Sequence, residues 1–408
     1  MIPEKDLAII RDLAKTQLEA ANSPRNLELK RLWTLHNGLR GERPMTHIEI
    51  NGFLGETVEP LLRCEDAFAR QIESVILMNT FNFQYIGDDT PVPPYYPVGW
   101  RAWLNLLGMK PQKKYAEGGL AYKIEHVIGD LEADWQMLGE SSHGADRAGT
   151  EAHIAEVRDA IGDILPVKLA SCSLCGSPTQ HVVLWMGMEN MFTAMVEHGE
   201  LFQKLMGKIA EGYVAYFKFL EREGLLLPTA AFEPLVQGSY CFNDELKTEG
   251  VLLTTDVWGY MDSQETVGVS PGMFRELIFP CYKKIAECFG LLSYGCCEPV
   301  HMFWDCLGTL GNMRKVSISA WCDENYMGER LRGSGTIYFR KPSPNLIGVD
   351  KNLDEDEVRK HINATLDAAR GCKLEFAQRD VYTIHGNVGK ARRYAELIRL
   401  CAEENWKP

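Results

Sequence analysis

The chain contains 408 residues, of which 45% are hydrophobic, and it carries a formal net charge of -13 at pH 7. This apolar content is enough for a large buried core and excludes a disordered chain, while the acidic balance argues against nucleic acid or an anionic membrane surface as a partner. No uninterrupted apolar run reaches about 18 residues, and the first residues lack the basic head and apolar stretch of a signal peptide, so we expect a cytoplasmic protein.

The amino-terminal part of the chain begins with two amphipathic helices, predicted over residues 6–21 and 25–39. They form a helical extension that covers residues 1–42. Farther along, at about residues 86–164, prolines and aromatic residues interrupt the regular pattern and mark an insertion that is too apolar for an idle surface loop. We interpret it either as a lid or partner surface, or as a loop packed on the main domain.

Short β-rich runs alternate with helical segments through the rest of the chain. The strands are predicted at residues 44–50, 81–85, 165–170, 230–236, 291–295, 316–320, 336–339 and 373–378. The helices are predicted at residues 65–78, 150–161, 189–222, 299–310, 354–369 and 389–402. Since each parallel strand needs a crossover helix, this order predicts an α/β protein, a (β/α)8 TIM barrel over residues 43–408 that includes the insertion. An open doubly wound sheet is the alternative, although no dinucleotide-binding or P-loop motif follows any strand.

Cysteines supply the strongest chemical signal. The chain has 12 of them, and in a reducing cytoplasm clustered cysteines are candidates for metal binding rather than for disulfides. Cys296 and Cys297 follow the fifth predicted strand and Cys322 follows the sixth, so the thiols lie just past the carboxyl ends of adjacent parallel strands, where α/β enzymes hold their chemistry. Cys172 and Cys175 form a single CxxC, which indicates zinc or redox chemistry less strongly because no second pair accompanies it.

Two thiolates and one carboxylate would make a zinc site with an open position, as catalytic zinc requires. Cys322 is one expected ligand and either Cys296 or Cys297 is the second, because strand alternation turns one of that pair inward without saying which. Glu265 is the expected third ligand, since it ends a long loop on the same rim. Its rivals are Glu298, Glu245 and Asp244. The competing interpretation is two cysteines buried by coincidence and a solvated Glu265.

Four stretches carry a family resemblance that extends over nearly the whole chain. They are Ser263-Gln-Glu265 through Ser270-Pro-Gly-Met-Phe, Tyr294-Gly-Cys-Cys-Glu-Pro-Val-His301, Val316-Ser-Ile-Ser-Ala-Trp-Cys322 and Arg340-Lys-Pro-Ser-Pro. In these stretches the chain resembles the uroporphyrinogen decarboxylase superfamily of barrels and, within it, the corrinoid-linked, zinc-dependent methyltransferases. The subgroup it resembles most is the methyltransferase I component of anaerobic O-demethylases. This resemblance implies that Glu265, one of Cys296 and Cys297, and Cys322 hold zinc.

Two departures from the superfamily pattern narrow the expected activity. Members that methylate thiols have His-x-Cys on the fifth strand, whereas this chain has Tyr294 at the His position. Decarboxylases carry an Arg-Gln-Ala-Gly-Arg segment near the amino terminus that grips tetrapyrrole carboxylates, and this chain has Asn51-Gly-Phe-Leu-Gly after its first strand instead. Decarboxylation of a porphyrinogen without a cofactor is therefore the alternative function.

The activity that the resemblance implies is demethylation of a small methylated substrate, most simply an aryl methyl ether. Zinc bound to the ether oxygen would stabilise the charge that develops as the methyl group leaves. The acceptor would be cob(I)alamin carried by a separate corrinoid protein, because this chain lacks the Asp-x-His-x-x-Gly signature of corrinoid-binding domains. A non-enzymatic scaffold with a closed structural metal site is a third interpretation, and a homodimer is compatible with the sequence.

Further side chains at strand ends are candidates for contact with the substrate. Tyr240, Asn243 and Tyr294 are expected to hydrogen-bond it, and Arg340 or Lys341 to hold a ring carboxylate if there is one. His385, after the eighth predicted strand, is expected to face the same site.

Overall fold

The structure is a computed structural model that describes residues 2–115 and 122–406. Its helices are α1 (Glu4–Ala21), α2 (Pro24–Asn37), α3 (Ala67–Phe81), α4 (Arg147–Ile161), α5 (Pro178–Glu197), α6 (Gly199–Arg222), α7 (Pro271–Met273), α8 (Phe279–Ala286), α9 (Trp304–Leu307), α10 (Glu324–Leu331), α11 (Asn345–Gly348), α12 (Glu355–Ala368) and α13 (Val388–Asn405). Its strands are β1 (Met45–Ile48), β2 (Tyr96–Val98), β3 (Arg101–Asn105), β4 (Gln112–Tyr115), β5 (Tyr122–Glu125), β6 (Ser142–Asp146), β7 (Val167–Leu169), β8 (Leu174–Gly176), β9 (Pro234–Leu235), β10 (Ser239–Tyr240), β11 (Trp258–Met261), β12 (Leu291–Tyr294), β13 (Met313–Ile318), β14 (Ile337–Arg340) and β15 (Leu374–Gln378).

The main sheet has seven strands in the order β1-β15-β14-β13-β12-β11-β8, and every pair in it is parallel. Its central strands are buried on both faces, which is typical of parallel sheets covered by crossover helices. Beside it lie the parallel pair β2–β7 and three antiparallel pairs, β3–β6, β4–β5 and β9–β10. This arrangement of parallel strands and helices is consistent with a TIM-barrel-like fold.

Strand β14 shows how the two faces of the sheet differ. Arg340 points to the outer face, where its Nε donates to Thr365 Oγ1 of α12 at 3.3 Å. Phe339 and Lys341 alternate with it and point to the opposite side, which we call the inner face. There the Nζ of Lys315 on β13 lies 5.9 Å from the ring centroid of Phe339. The inner face therefore carries charged side chains that are shielded from water.

Most of the predicted strands and helices are confirmed within a few residues. The confirmed strands are those predicted at 44–50, 165–170, 291–295, 316–320, 336–339 and 373–378. The strand predicted at 81–85 is wrong, because α3 continues there into a π-helical turn, Asn82–Ile86. The alternating aromatics suggested a strand, but Phe81 and Tyr85 stack on one side of a helix with ring centroids 4.9 Å apart.

The strand predicted at 230–236 is also wrong as a member of the main sheet. Only Pro234–Leu235 is extended, and it pairs with Ser239–Tyr240 in the short hairpin β9–β10. The sheet instead uses Trp258–Met261, where no strand was predicted, between β8 and β12. Consequently Glu265 follows the carboxyl end of a sheet strand directly.

The predicted helical extension and insertion pack on the same body of structure. Helix α1 places Ile10 and Ala14 in a cluster with Ile72 and Ile76 of α3, and the indole of Trp33 on α2 donates to the carbonyl of Asp89 at 2.7 Å. In the described part of the insertion, β2 pairs with β7 and the other strands form the two hairpins β3–β6 and β4–β5. Among the described residues, no helix combines the length and the apolar content needed to cross a membrane.

Candidate functional site

The candidate site lies at the carboxyl edge, by which we mean the end of the main sheet where β11 to β15 finish. The connection after β11 carries Asp262 and Glu265, the connection after β12 carries Cys296 and Cys297, and the connection after β13 carries Cys322. Strands β11, β12 and β13 are direct neighbours in the sheet, so three adjacent connections supply the predicted metal ligands.

The thiols of Cys296 and Cys297 are close together, with 3.5 Å between their Sγ atoms. Cys296 is buried, whereas Cys297 is half-buried and its Sγ lies 3.7 Å from Oδ2 of Asp380 after β15. The hydrogen bond between the thiols lowers the pKa of Cys297, and together with burial it raises the pKa of Cys296. Cys297 is the more accessible of the two sulfurs.

The backbone around Cys296 is fixed from several sides. Glu298 accepts from the backbone N–H of Cys296 at 2.8 Å with one carboxylate oxygen and from that of Ser263 at 2.9 Å with the other. The Oγ of Ser317 donates to the carbonyl of Cys296 at 2.8 Å. Burial, and next the charge of Asp262, raise the pKa of Glu298 to about 7. Glu298, a rival third ligand in the sequence analysis, thus ties the connection after β11 to the one after β12.

Glu265 lies in a short 3-10 turn, Gln264–Thr266. Its Oε2 accepts from Thr179 Oγ1 at 2.8 Å, and burial raises its pKa. The hydroxyl of Tyr282 lies 2.8 Å from the same threonine oxygen and donates to the carbonyl of Asp262 at 2.7 Å. Tyr294 is also buried here, with its hydroxyl 2.7 Å from Ser263 Oγ. Hydroxyl groups therefore orient the carboxylate side of the candidate site.

Cys322 is buried at the end of the connection after β13. Its N–H donates to the carbonyl of Ser319 at 3.1 Å, and burial raises the pKa of its thiol to about 12. The next N–H, that of Asp323, donates to His301 Nδ1 at 3.2 Å. The sequence analysis gave His301 no role, but this bond holds the segment that carries Cys322.

The residues fit zinc in donor chemistry, although the full ligand set is not assembled. Two bonds of about 2.3 Å at a tetrahedral angle separate two thiolates by roughly 3.8 Å, close to the observed Sγ–Sγ distance of 3.5 Å. In the neighbouring connection after β11, Asp262 Oδ1 is buried without a hydrogen-bond partner. Over residues 2–115 and 122–406, however, no three His, Cys, Asp or Glu side chains are grouped to hold a metal ion. The structure brings the two adjacent thiols together and does not gather Glu265 and Cys322 with them.

The other rival carboxylates lie elsewhere. Glu245 forms an ion pair with Arg314, at 2.6 Å and 2.8 Å, near the start of β13 and so away from its carboxyl end. Its neighbour Asp244 pairs with Arg40. Both carboxylates are neutralised at the opposite edge of the sheet from Cys322.

Tyr240 and Asn243, predicted to contact the substrate, are held by other parts of the chain. The ring of Tyr240 packs against Trp33 and His47, with ring centroids 5.3 Å and 5.5 Å away, and burial raises the pKa of its hydroxyl. Asn243 shapes a turn, because its Nδ2 donates to the carbonyl of Cys241 at 2.8 Å and its Oδ1 accepts two backbone N–H groups. Neither contacts the thiol pair.

Arg340 and Lys341 separate onto the two faces of the sheet. Arg340 donates to the carbonyls of Ile318 and Ser319 at 3.0 Å and 2.7 Å and pairs with Glu324, which occupies it on the outer face. Lys341 is 5% exposed on the inner face, and its Nζ donates to the carbonyl of Gly295 at 3.1 Å, next to the thiol pair. Only Lys341 stands beside the candidate site.

His385 is exposed after β15, and its Nε2 lies 3.1 Å from the carbonyl of Val349. Its φ of 56° is in the left-handed region. The contact joins two surface loops at the rim and leaves the imidazole outside the thiol cluster.

Three residues at the carboxyl edge were missed by the sequence analysis: Gln237, Arg379 and Asp380. Arg379 and Asp380 come directly after β15, so their position after a predicted strand was a usable signal. Gln237 lies in the β9–β10 hairpin, where Gln-Gly between two short extended segments is a turn signal. The signal predicts the turn and does not predict where its tip lies.

Comparisons with known proteins support the fold. The chain is similar to a solved structure of a methyltransferase from Methanosarcina mazei, with a TM-score of 0.51 and 12% identity over 92% of this chain and 98% of that one. It is also similar to a B12-independent methionine synthase from Shewanella sp. W3-18-1, with 12% identity over 74% of this chain and 77% of that one, but the TM-score of 0.33 is too low to support an inference. No family model and no curated protein matches the sequence.

Proposed function

We propose that this protein is a zinc-dependent methyltransferase that removes the methyl group from a small methylated substrate, most simply an aryl methyl ether. The observation that carries the proposal is the pair of thiols 3.5 Å apart at the carboxyl edge, between connections that supply Glu265 and Cys322. The fold that this chain shares with the Methanosarcina mazei methyltransferase supports methyl transfer as the reaction class. The ligands would be Glu265, Cys322 and one or both of Cys296 and Cys297.

Zinc, when bound, would act as a Lewis acid on the ether oxygen of the substrate. The chain's own residues then have three tasks. Glu298 holds the loops that carry Glu265 and Cys296 at a fixed separation, and the ammonium of Lys341 lies beside the thiols, where positive charge favours their ionised form. The third task falls to Tyr294, whose hydroxyl lies 2.7 Å from Ser263 Oγ and positions the connection that carries the carboxylates.

The cob(I)alamin of a separate corrinoid protein would accept the methyl group. The rim of the carboxyl edge is the surface on which that protein would dock. Each of the five connections after β11 to β15 exposes one large apolar side chain. These are Val267, Met302, Trp321, Val349 and Tyr382. Trp321 is 76% exposed and directly precedes Cys322. We propose that these side chains form the apolar surface on which the corrinoid protein docks.

We also infer that β7 and β8 are two parts of one interrupted strand, and that β2 is the eighth strand of a closed barrel within residues 43–408. Strand β7 leads into β8 after only a short link, and β2 pairs with β7 on its far side. The remaining gap lies between β1 and β2. On that side of β1 the N–H groups of Thr46 and Ile48 are bonded to Asp89 and Asp88 at 2.9 Å and 2.8 Å, which protects the edge.

The test combines metal analysis with a transfer assay. Protein purified without oxygen and loaded with zinc should retain about one zinc per chain, and it should methylate a corrinoid protein when given a methoxylated aromatic. Substoichiometric zinc after loading would contradict the proposal. Loss of carboxyl groups from a porphyrinogen in metal-free buffer would establish the decarboxylase alternative instead, and a metal with four protein ligands and no activity would favour the scaffold.

A further inference from the structure

The tip of the β9–β10 hairpin lies on the inner face at the carboxyl edge. A Cβ on Gly238 would come within 3.2 Å of Arg379, 3.4 Å of Ala377 and 3.4 Å of His47, so side chains from β15 and β1 surround it. The neighbouring Ser239 accepts from Lys315 Nζ of β13 at 2.7 Å. The hairpin therefore enters the space in front of the inner face and presents its turn to the strand ends.

Gln237 occupies an unusual backbone position at this tip. Its φ is 77° and that of Gly238 is 80°, so two consecutive residues of the turn have a left-handed backbone. Glycine or asparagine usually fills such a position, because a residue with a larger side chain is strained there. A side chain that remains at a strained position points to an interaction that offsets the strain.

That interaction is with two cations at once. Gln237 Oε1 accepts from Lys341 Nζ at 3.0 Å and also from Arg379 Nη1. The remaining nitrogens of Arg379 are held by Glu49, with Nε–Oε2 at 2.9 Å and Nη2–Oε1 at 3.2 Å. Arg379 is thus oriented by one carboxylate and directs its free edge at a neutral amide oxygen.

Lys341 lacks a carboxylate partner among the described residues. Its Nζ has three acceptors there, and all of them are neutral: Gln237 Oε1, the carbonyl of Gly295 and the carbonyl of Cys296, the last at 3.4 Å. A buried ammonium that contacts only neutral oxygens lacks the full stabilisation that an anion supplies. Lys341 and Arg379 together form a place where one carboxylate would accept from both cations.

We propose that Lys341 and Arg379 form the binding site for a carboxylate group of the substrate, and that Gln237 Oε1 occupies this site until the substrate displaces it. The inference rests on the proposed function and deepens it, since it restricts the methyl donor to a small acid. Because Lys341 also contacts the carbonyls beside the thiol pair, an acid held there has its methyl-bearing end available to the candidate metal ligands. The displaced Gln237 is free to leave its strained conformation.

Calorimetric titration of the full chain tests the inference, with zinc present and no corrinoid protein, so that binding is measured apart from methyl transfer. The probes are para-methoxybenzoate and its neutral analogue para-methoxybenzamide. We expect the acid to bind roughly tenfold tighter than the amide or better, because only the acid makes charge-assisted hydrogen bonds to both cations. Equal affinities would overturn the inference, whatever the transfer assay shows.

Three variants sharpen the test. Gln237→Gly removes the competing oxygen and suits the left-handed turn, so acid binding should tighten roughly threefold or more. Gln237→Glu supplies a permanent carboxylate and should weaken acid binding by about tenfold or more. Gln203→Glu, at an exposed site on α6, adds the same charge and should change nothing. Weaker acid binding in Gln237→Gly, or no response to Gln237→Glu, would refute displacement. If Gln237→Glu fails to fold, Gln237→Gly and the acid–amide comparison still decide.

Discussion

Two buried lysines on the inner face of the sheet have opposite surroundings. Lys315, in the amino-terminal half of β13, is fully buried and lies 2.7 Å from Glu375, whose same carboxylate oxygen is 2.9 Å from His36 Nε2. Lys341, at the carboxyl edge, has only neutral oxygens around its ammonium. The first lysine is paired with a carboxylate, while the second has no carboxylate partner among the described residues.

The two lysines therefore have different roles, one in the stability of the sheet and the other in binding at its carboxyl edge. A buried ion pair that is complete contributes to a unique packing and has no capacity for a ligand. An incomplete one stores unfavourable free energy that binding an anion releases, and such groups concentrate at functional sites.

The largest expected effect is the loss of metal binding at the carboxyl edge. Cys322→Ser should abolish zinc retention and lower the rate of methyl transfer by about 1,000-fold or more, equivalent to about 4 kcal/mol of transition-state stabilisation. Its free energy of unfolding, measured without zinc, should change by less than about 1 kcal/mol because serine nearly matches cysteine in volume. Cys172→Ser is the matched control and should retain zinc and activity. A variant Cys322→Ser that still binds one zinc would remove this residue from the ligand set.

Replacing each lysine by methionine tests whether Lys315 and Lys341 have different roles. Lys315→Met should cost about 3–5 kcal/mol of unfolding free energy, because it leaves the Glu375 carboxylate buried without its cation. Lys341→Met orphans no carboxylate and should change stability by less than about 1 kcal/mol, while it removes the acid preference in the binding assay. Urea unfolding of both variants measures the contrast. Equal losses of unfolding free energy in the two variants would mean that both lysines stabilise the fold to the same extent.

The sequence predicts where strands end. It does not predict which residues of different strands and connections come into contact there. Cys296, Cys297 and Cys322 were predicted to follow neighbouring strands, and the structure places them there, because a short apolar run and the next helix start depend on local sequence. Arg340 and Lys341 could not be told apart, since alternation fixes their opposite directions but not which one points inward. The strand Trp258–Met261 was missed because it has only four residues, one of them glycine, and because the long stretch around it has the sequence of a loop.

The hairpin tip shows a different limit. A Gln-Gly turn is local, but its position against Lys341 and Arg379 depends on how the chain between them folds. These residues are 104 and 142 positions after Gln237 in the sequence. Around Phe81 the error is of another kind. The alternating aromatic residues predict a strand there, but helix α3 continues through them. Long-range packing overrides local pattern in both cases.

A pH titration of stability sharpens the contrast on the paired side. Burial opposes ionisation of Glu375, but the charge of Lys315 and the bond to His36 outweigh it and lower its pKa from 4.5 to about 2. A carboxyl whose pKa is depressed in the folded state stabilises the protein above its unfolded pKa. About 3 kcal/mol should therefore be lost as the pH falls from 4.5 towards 2. Urea unfolding across this range measures it.

The control for this titration is Glu375→Gln, which cannot ionise. The variant should be less stable at neutral pH, because Lys315 loses its anion, and its stability should vary less between pH 4.5 and 2. A wild-type protein whose stability is flat across that window would show that the ion pair is weaker than its geometry indicates.

The smallest expected effect compares two threonines that each donate to a carboxylate. Thr179 donates to Glu265 at 2.8 Å at the carboxyl edge, and Thr365 donates to Glu324 at 2.7 Å on the outer face. Replacing either by valine removes the hydrogen bond to the carboxylate and a second contact of the same hydroxyl, with Tyr282 for Thr179 and with Arg340 for Thr365. Each substitution should cost about 1–2 kcal/mol of unfolding free energy. Only Thr179→Val should also weaken zinc binding, by roughly tenfold, because it frees a ligand that the hydroxyl orients. Competition with a chelator measures that affinity. Equal zinc affinities in the two variants would show that Glu265 does not reach the metal.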